Sequence, residues 1–257
     1  MRRLARAPLG KKLRVWLWRH ARVVLAAGDP AAVASKRWAS RRPFDVRYKT
    51  ALREALQRMA SGVERCMYCE ESAAYPIEHF WPKSRFPERT FCWENLLVAC
   101  DHCNNRCKGD RFPVDERGEP LLINPTAEDP SAHLELRPRE GVLVPRAGSR
   151  KGTTTIDLFK LNRRHTLIQG RKDAWFALQQ LIVNYAGYRE AGRQEFAAMC
   201  MQSIRNYPFS AALEYLLRVM DRPEPEAYLT VPGCLQALHK HHDELRAWFA
   251  SAGDHPP

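Results

Sequence analysis

Apolar residues at Leu9, Leu13, Trp16, Leu17 and Val24 share one helical face, with Lys11, Arg14, Arg19 and Arg22 roughly opposite, so residues 8–27 read as an amphipathic helix opened by Pro8. Gly28, Asp29 and Pro30 end it. Ala51, Ala55, Leu56 and Met59 predict a second helical stretch from Phe44 to about Arg65. From Cys66 to Pro113 no long helical period survives, and Cys, Trp, Asn and aromatic residues crowd together. Between 116 and 157, turn signals at Arg117-Gly118, Glu140-Gly141, Gly148 and Gly152 separate short alternating runs at His133–Leu136 and Val142–Val144. That pattern predicts a small strand-and-loop segment. Asn162 reads as a helix N-cap, after which Ala174, Trp175, Leu178, Leu181, Ile182 and Tyr185 keep the 3.6 period, and segments around 190–205, 209–220 and 233–250 repeat it. The expectation is an α+β fold, mainly helical, in four parts: a basic helical segment (1–65), a cysteine-rich region (66–115), the strand-and-loop segment (116–160) and a C-terminal helical region (161–257) ending in a disordered tail from Ala252.

The longest apolar stretch, Val15–Ala27, is broken by Arg19, His20 and Arg22. It falls short of the roughly 20 residues that a membrane-spanning helix needs. A cytoplasmic chain with no membrane partner is the expectation. Charge changes the picture at the front: residues 1–65 hold 17 Lys and Arg against 4 Asp and Glu, while the whole chain of 257 residues carries +12. A segment this basic suits nucleic acid phosphates, an anionic surface or an acidic protein partner. The simplest alternative is a solvated helix face.

Six of the eight cysteines lie between Cys66 and Cys107, and four of them form two C-x2-C pairs, Cys66-Met-Tyr-Cys69 and Cys100-Asp-His-Cys103. Each pair can present two thiolates to one tetrahedral ion, so the spacing predicts a structural Zn²⁺ on Cys66, Cys69, Cys100 and Cys103. Four sulfur ligands leave no open coordination position, so this ion should stabilise the fold and do no chemistry. His102 and Cys107 are alternative ligands.

Between and just after the two pairs stand Ile77-Glu78-His79-Phe80, Trp93-Glu94-Asn95-Leu96 and Cys103-Asn104-Asn105-Arg106-Cys107-Lys108-Gly109-Asp110. Taken in order around paired C-x2-C motifs, these stretches resemble the HNH nucleases, whose ββα-metal fold is a hairpin and a helix gripping one divalent cation. The resemblance implies a zinc-knuckled ββα-metal core and hydrolysis of phosphodiester bonds, a reaction that needs an activated water, a cation and neutralisation of developing charge. It assigns His79 the general-base role. Glu78 and Asn104 match the positions that hold a catalytic Mg²⁺ or other divalent cation, and both are oxygen donors suited to a hard ion. Many of these nucleases carry Asp where this chain has Glu78, which could instead orient a neighbour. Asn95 matches the residue that pins the loop and so aims the histidine. Lys83, Arg106 and Lys108 are candidates for phosphate neutralisation.

Further strings narrow the likeness: I-E-H-F-W-P-K-S, W-E-N-L-L-V-A-C, G-D-R-F-P, Leu122-Ile-Asn-Pro-Thr126, His133 and Leu161-Asn162-Arg163. Across roughly residues 60–172 the chain is similar to the HNH proteins of Septu-type and retron-associated anti-phage systems, the PtuB-like nucleases. That resemblance implies DNA as the main substrate, with RNA or tRNA left open, and an ABC/SMC-type ATPase as protein partner. Two other readings stand beside it: a catalytically inactive, zinc-stabilised nucleic-acid-binding or adaptor module, and a stand-alone HNH restriction-type endonuclease.

Overall fold

The computed structural model describes residues 1–60, 64–209 and 211–251. The expected tail from Ala252 lies outside them. Helix α1 (Lys11–Leu25) follows the amphipathic pattern: Trp16, Leu17 and Val24 are buried, while Lys11, Arg14, Arg19 and Arg22 face solvent. A helix the sequence pattern did not announce comes next, α2 (Pro30–Trp38). Asp29 caps it by accepting a hydrogen bond from the Ala32 amide at 3.0 Å, and Pro30 occupies the first helical position, where its missing N–H costs nothing. The residues read as a stop for α1 are also the start of α2. Helix α3 (Pro43–Met59) stops short of the expected Arg65. Asp45 knits this group together, accepting from Trp16 Nε1 of α1 at 3.1 Å and from Ser40 Oγ at 2.6 Å.

The cysteine-rich region holds a two-stranded antiparallel sheet of β1 (Ile77–His79) and β2 (Leu96–Val98), in which Glu78 pairs with Leu97 and His79 with Leu96. A seven-residue π-helix, His102–Lys108, follows β2. Its bonding is visible in Gly109, whose amide reaches back five residues to the Asn104 carbonyl at 2.7 Å. Gly109 then ends it at φ 54°, a conformation that suits a residue without Cβ.

In the third segment, β3 (Leu134–Arg137) and β4 (Val142–Pro145) form an antiparallel hairpin. The stretch after it, expected as loop, is helix α4 (Arg150–Leu158), capped by Ser149 Oγ accepting from the Gly152 amide at 3.1 Å. Asn162 is not the expected N-cap. Its side chain clasps the Leu143 backbone, donating at 2.6 Å and accepting at 2.9 Å, and the next helix begins three residues later. That helix, α5 (His165–Glu190), is the axis of the C-terminal region, with α6 (Gln194–Asn206), α7 (Ala211–Val219) and α8 (Cys234–Ser251) packed on it. Buried side chains from every segment join one contiguous hydrophobic cluster. Arg6 shows the interlock: its guanidinium donates to the carbonyls of Trp93 at 2.8 Å and Leu96 at 2.7 Å and also reaches Thr126 Oγ1. No helix among the described residues is long and apolar enough to cross a membrane.

Candidate metal centre and active site

The turn Cys66–Cys69 and the entry to the π-helix bring four thiols together. The Sγ atoms of Cys66, Cys69, Cys100 and Cys103 lie within 4.8 Å of one another, and all four residues are buried. Cys69 and Cys100 sulfurs are 3.7 Å apart, close to the ~3.8 Å between sulfurs of a tetrahedral site with Zn–S near 2.3 Å and far beyond a disulfide bond. Burial pushes the Cys66 thiol up and contact with Cys100 pushes Cys103 up, while hydrogen bonds from Cys103, Cys66 and Cys69 pull Cys100 down, so the four thiols share their protons unequally. Arg164 supplies compensating positive charge: one guanidinium nitrogen lies 3.7 Å from Cys103 Sγ and another is 3.2 Å from Glu71. Burial by itself would lower this arginine's pKa, but the thiols of Cys69, Cys103 and Cys100 raise it overall. This cluster could hold a metal ion such as zinc. His102 and Cys107 stand outside it among the described residues.

Neighbours on a strand project to opposite faces, and Glu78 and His79 accordingly meet different partners. Glu78 is buried, and Lys108 Nζ sits 2.6 Å from its Oε1. The same ammonium donates to the His79 backbone carbonyl at 2.8 Å. Burial raises the Glu78 pKa, opposed by Lys108 and Lys83. Lys108 is therefore not a surface residue waiting for phosphate: it is 1% exposed and spends its charge inside, because a carboxylate buried on β1 needs a counter-ion. The pair also ties the π-helix, which carries Asn104, to β1.

His79 is 6% exposed. Its Nε2 lies 3.1 Å from the Thr90 carbonyl, and since a carbonyl only accepts, Nε2 carries the hydrogen and Nδ1 keeps the free lone pair. Trp38, at the end of α2, packs edge-on against the ring with centroids 4.4 Å apart. Burial, then the charge of Lys83, drives the His79 pKa down to about 3. Asn95 anchors the loop between the strands: its side chain accepts from the Trp81 amide at 2.7 Å and donates to the carbonyls of Trp81 at 3.1 Å and Arg89 at 2.9 Å. Because Thr90 lies in that loop, Asn95 holds the acceptor that orients His79.

The other expected residues are scattered in role. Asn104 is half-buried, and its side-chain amide has no hydrogen bond among the described residues. Arg106 lies on the surface, 3.2 Å from Asp101. Lys83 is half-buried with no ion pair among the described residues, yet close enough to His79 and Glu78 to act on both. Sequence reasoning missed Trp38, whose only signal was the Asp29-Pro30 start of the helix that delivers it.

No family model matches the chain. Two curated proteins are similar to it. The Septu protein PtuB of Bacillus mycoides (strain KBAB4) is 32% identical over 151 residues, covering 48% of this chain and 50% of that one. The Septu protein PtuB of Bacillus thuringiensis is 34% identical over 128 residues, covering 48% of this chain and 46% of that one. The chain spans about half the length of the curated relatives it matches. About half of this chain is thus similar to Septu protein PtuB, in agreement with the PtuB-like resemblance carried by its motifs.

Proposed function

We propose that the chain is a metal-dependent HNH-type nuclease that hydrolyses phosphodiester bonds of nucleic acid, DNA foremost, in an anti-phage defence system. The observation that carries this reading is the setting of His79: a neutral imidazole with Nε2 tied to Thr90, Nδ1 free, and a loop pinned by Asn95 to hold that orientation. The tautomer and direction a general base needs are thus chosen before substrate arrives, while burial keeps the ring a weak base in this state. Lys83 beside it can neutralise charge developing on a phosphate. The order of hairpin and helix, β1, β2 and then His102–Lys108, supports a ββα-metal core.

Glu78 and Asn104 are the residues that would hold a catalytic divalent cation. The donor types fit: a carboxylate and an unengaged amide oxygen, with Glu78 Oε1 buried and lacking a hydrogen bond of normal geometry beside Lys108. When bound there, the cation would polarise the phosphate and stabilise the leaving oxygen. Lys108 must then share or release the carboxylate it now neutralises. The Cys66, Cys69, Cys100 and Cys103 cluster would hold structural zinc under this hairpin. Similarity to Septu protein PtuB also motivates a protein partner, here an ABC/SMC-type ATPase.

Incubating the purified protein with plasmid DNA and with total RNA, in Mg²⁺, in Mn²⁺ and with no added divalent cation, tests the reading. Endonucleolytic products that require the cation are expected, and repeating the assay with the co-purified ATPase reads the partner's effect. Intact polymers under every condition, with the zinc site filled and the fold intact, would overturn the assignment in favour of a binding module.

A further inference from the structure

Helices α2 and α3 and the loop between them carry many cations and few acids. Between Lys36 and Arg58 the chain has eight Lys and Arg against Asp45 and Glu54, and Asp45 is buried against Trp16 and Ser40. Among the described residues none of the eight forms an ion pair with a carboxylate, whereas Arg150, Lys151, Arg164, Arg218, Arg222, Lys240 and Arg246 each do. Cations without acidic partners repel one another and gain when a polyanion neutralises them.

Two of them, Lys49 and Arg53, line a groove of about 320 Å³ together with Trp38, Tyr75 and Ile77. That is the lower end of the roughly 300–1,000 Å³ that holds a small ligand, room for a nucleotide. Tyr75 is 59% exposed, with the Arg53 guanidinium 3.8 Å over its ring. Lys49 donates to the carbonyls of Trp38 at 2.9 Å and Ser40 at 2.6 Å, which leaves one ammonium hydrogen, and Arg53 uses Nε on the Tyr75 carbonyl at 2.9 Å, which leaves its terminal nitrogens. Aromatic faces interleaved with cations are the means by which unpaired strands are held, bases stacking and phosphates pairing. The groove also leads to the candidate site: Ile77 shares a strand face with His79, and the Trp38 that lines the groove is the residue packed on His79.

We infer that this groove binds a single, splayed strand of nucleic acid, with a base stacked on Tyr75 and phosphates at Lys49 and Arg53, and that Trp38 stands between the bound strand and His79. The inference rests on the nuclease reading for its direction, since it makes the groove the approach to that histidine. Its test does not depend on cleavage. Fluorescein-labelled single-stranded DNA and a duplex of the same sequence are titrated by anisotropy against the His79→Ala protein with no added divalent cation, and then against the same protein carrying Tyr75→Ala, Arg53→Gln or Thr50→Glu. Thr50 is an exposed position lining the groove, so that change adds a negative charge without breaking a hydrogen bond. Single-strand affinity should fall roughly tenfold with Tyr75→Ala and with Thr50→Glu, and Arg53→Gln should lower the slope of log affinity against log salt by about 1. Unchanged affinity in the tyrosine and threonine variants, tighter binding of the duplex, or no strand binding at all would overturn the groove. Strand binding lost with these variants, alongside a wild-type protein that cuts neither DNA nor RNA with Mg²⁺ or Mn²⁺, would keep the groove and sink the nuclease reading alone.

Discussion

At the residue scale, the buried pair of Glu78 and Lys108 makes the most specific demand. Both charges are out of water, so removing one strands the other. Lys108→Met should cost ~3–5 kcal/mol in urea unfolding, and adding Glu78→Gln should restore a good part of it, because the pair is then neutral. A single variant as stable as wild type would show that the pair is not formed. His79 makes a demand on pH. Unfolded, the imidazole titrates near 6.5, whereas in the fold it resists protonation until about 3. Between those values the unfolded chain binds the extra proton, so stability falls as pH falls through that window, by up to ~5 kcal/mol at its lower end. Replacing His79 with Asn should flatten this part of the stability profile relative to wild type, and parallel profiles would contradict the burial of a neutral ring. Motif and spacing made His79 and Asn95 legible as candidates. They did not reveal the fate of Lys108: the letters put it after Asn104, but only folding shows that the π-helix turns it inward to a carboxylate 30 residues earlier in the chain.

At the element scale, periodicity was a sound guide where an amphipathic face meets the core, as in α1 with Trp16, Leu17 and Val24 buried, and in the C-terminal helices. It failed where local signals have two readings. Asp29-Pro30 stops one helix and starts the next, and Gly152 with the Thr153–Thr155 run hides α4, which Ser149 nonetheless caps. Asn162 has the side chain of an N-cap, but spends it on Leu143 across the hairpin, a partner invisible in local sequence. The cysteine pairs were the clearest element signal, because a tetrahedral ion requires four donors in a geometry that few other purposes need. They join the turn after α3 to the start of the π-helix. Cys66→Ala should therefore lose bound zinc and lower the melting temperature sharply, forfeiting part of the ~10–16 kcal/mol by which structural zinc is held. Full zinc occupancy with an unshifted melting temperature would refute a structural role for the cluster.

At the scale of the whole molecule, the basic N-terminal segment is not an appendage. Arg6 is bonded to the Trp93–Leu96 turn, α1 and α2 pack on the loop that presents Thr90, and Trp38 closes over His79. The basic segment thereby forms part of the wall of the candidate site through Trp38, beside a histidine whose tautomer is already chosen. Fold, loop anchor and charge converge on one atom, Nδ1 of His79. The most direct test of the account is the rate of DNA cleavage by His79→Ala against wild type, with the cation present and zinc content and melting temperature measured on the same samples. Loss of cleavage by at least about a hundredfold, with zinc retained and the fold intact, is the predicted result. A variant that cuts at the wild-type rate would contradict it.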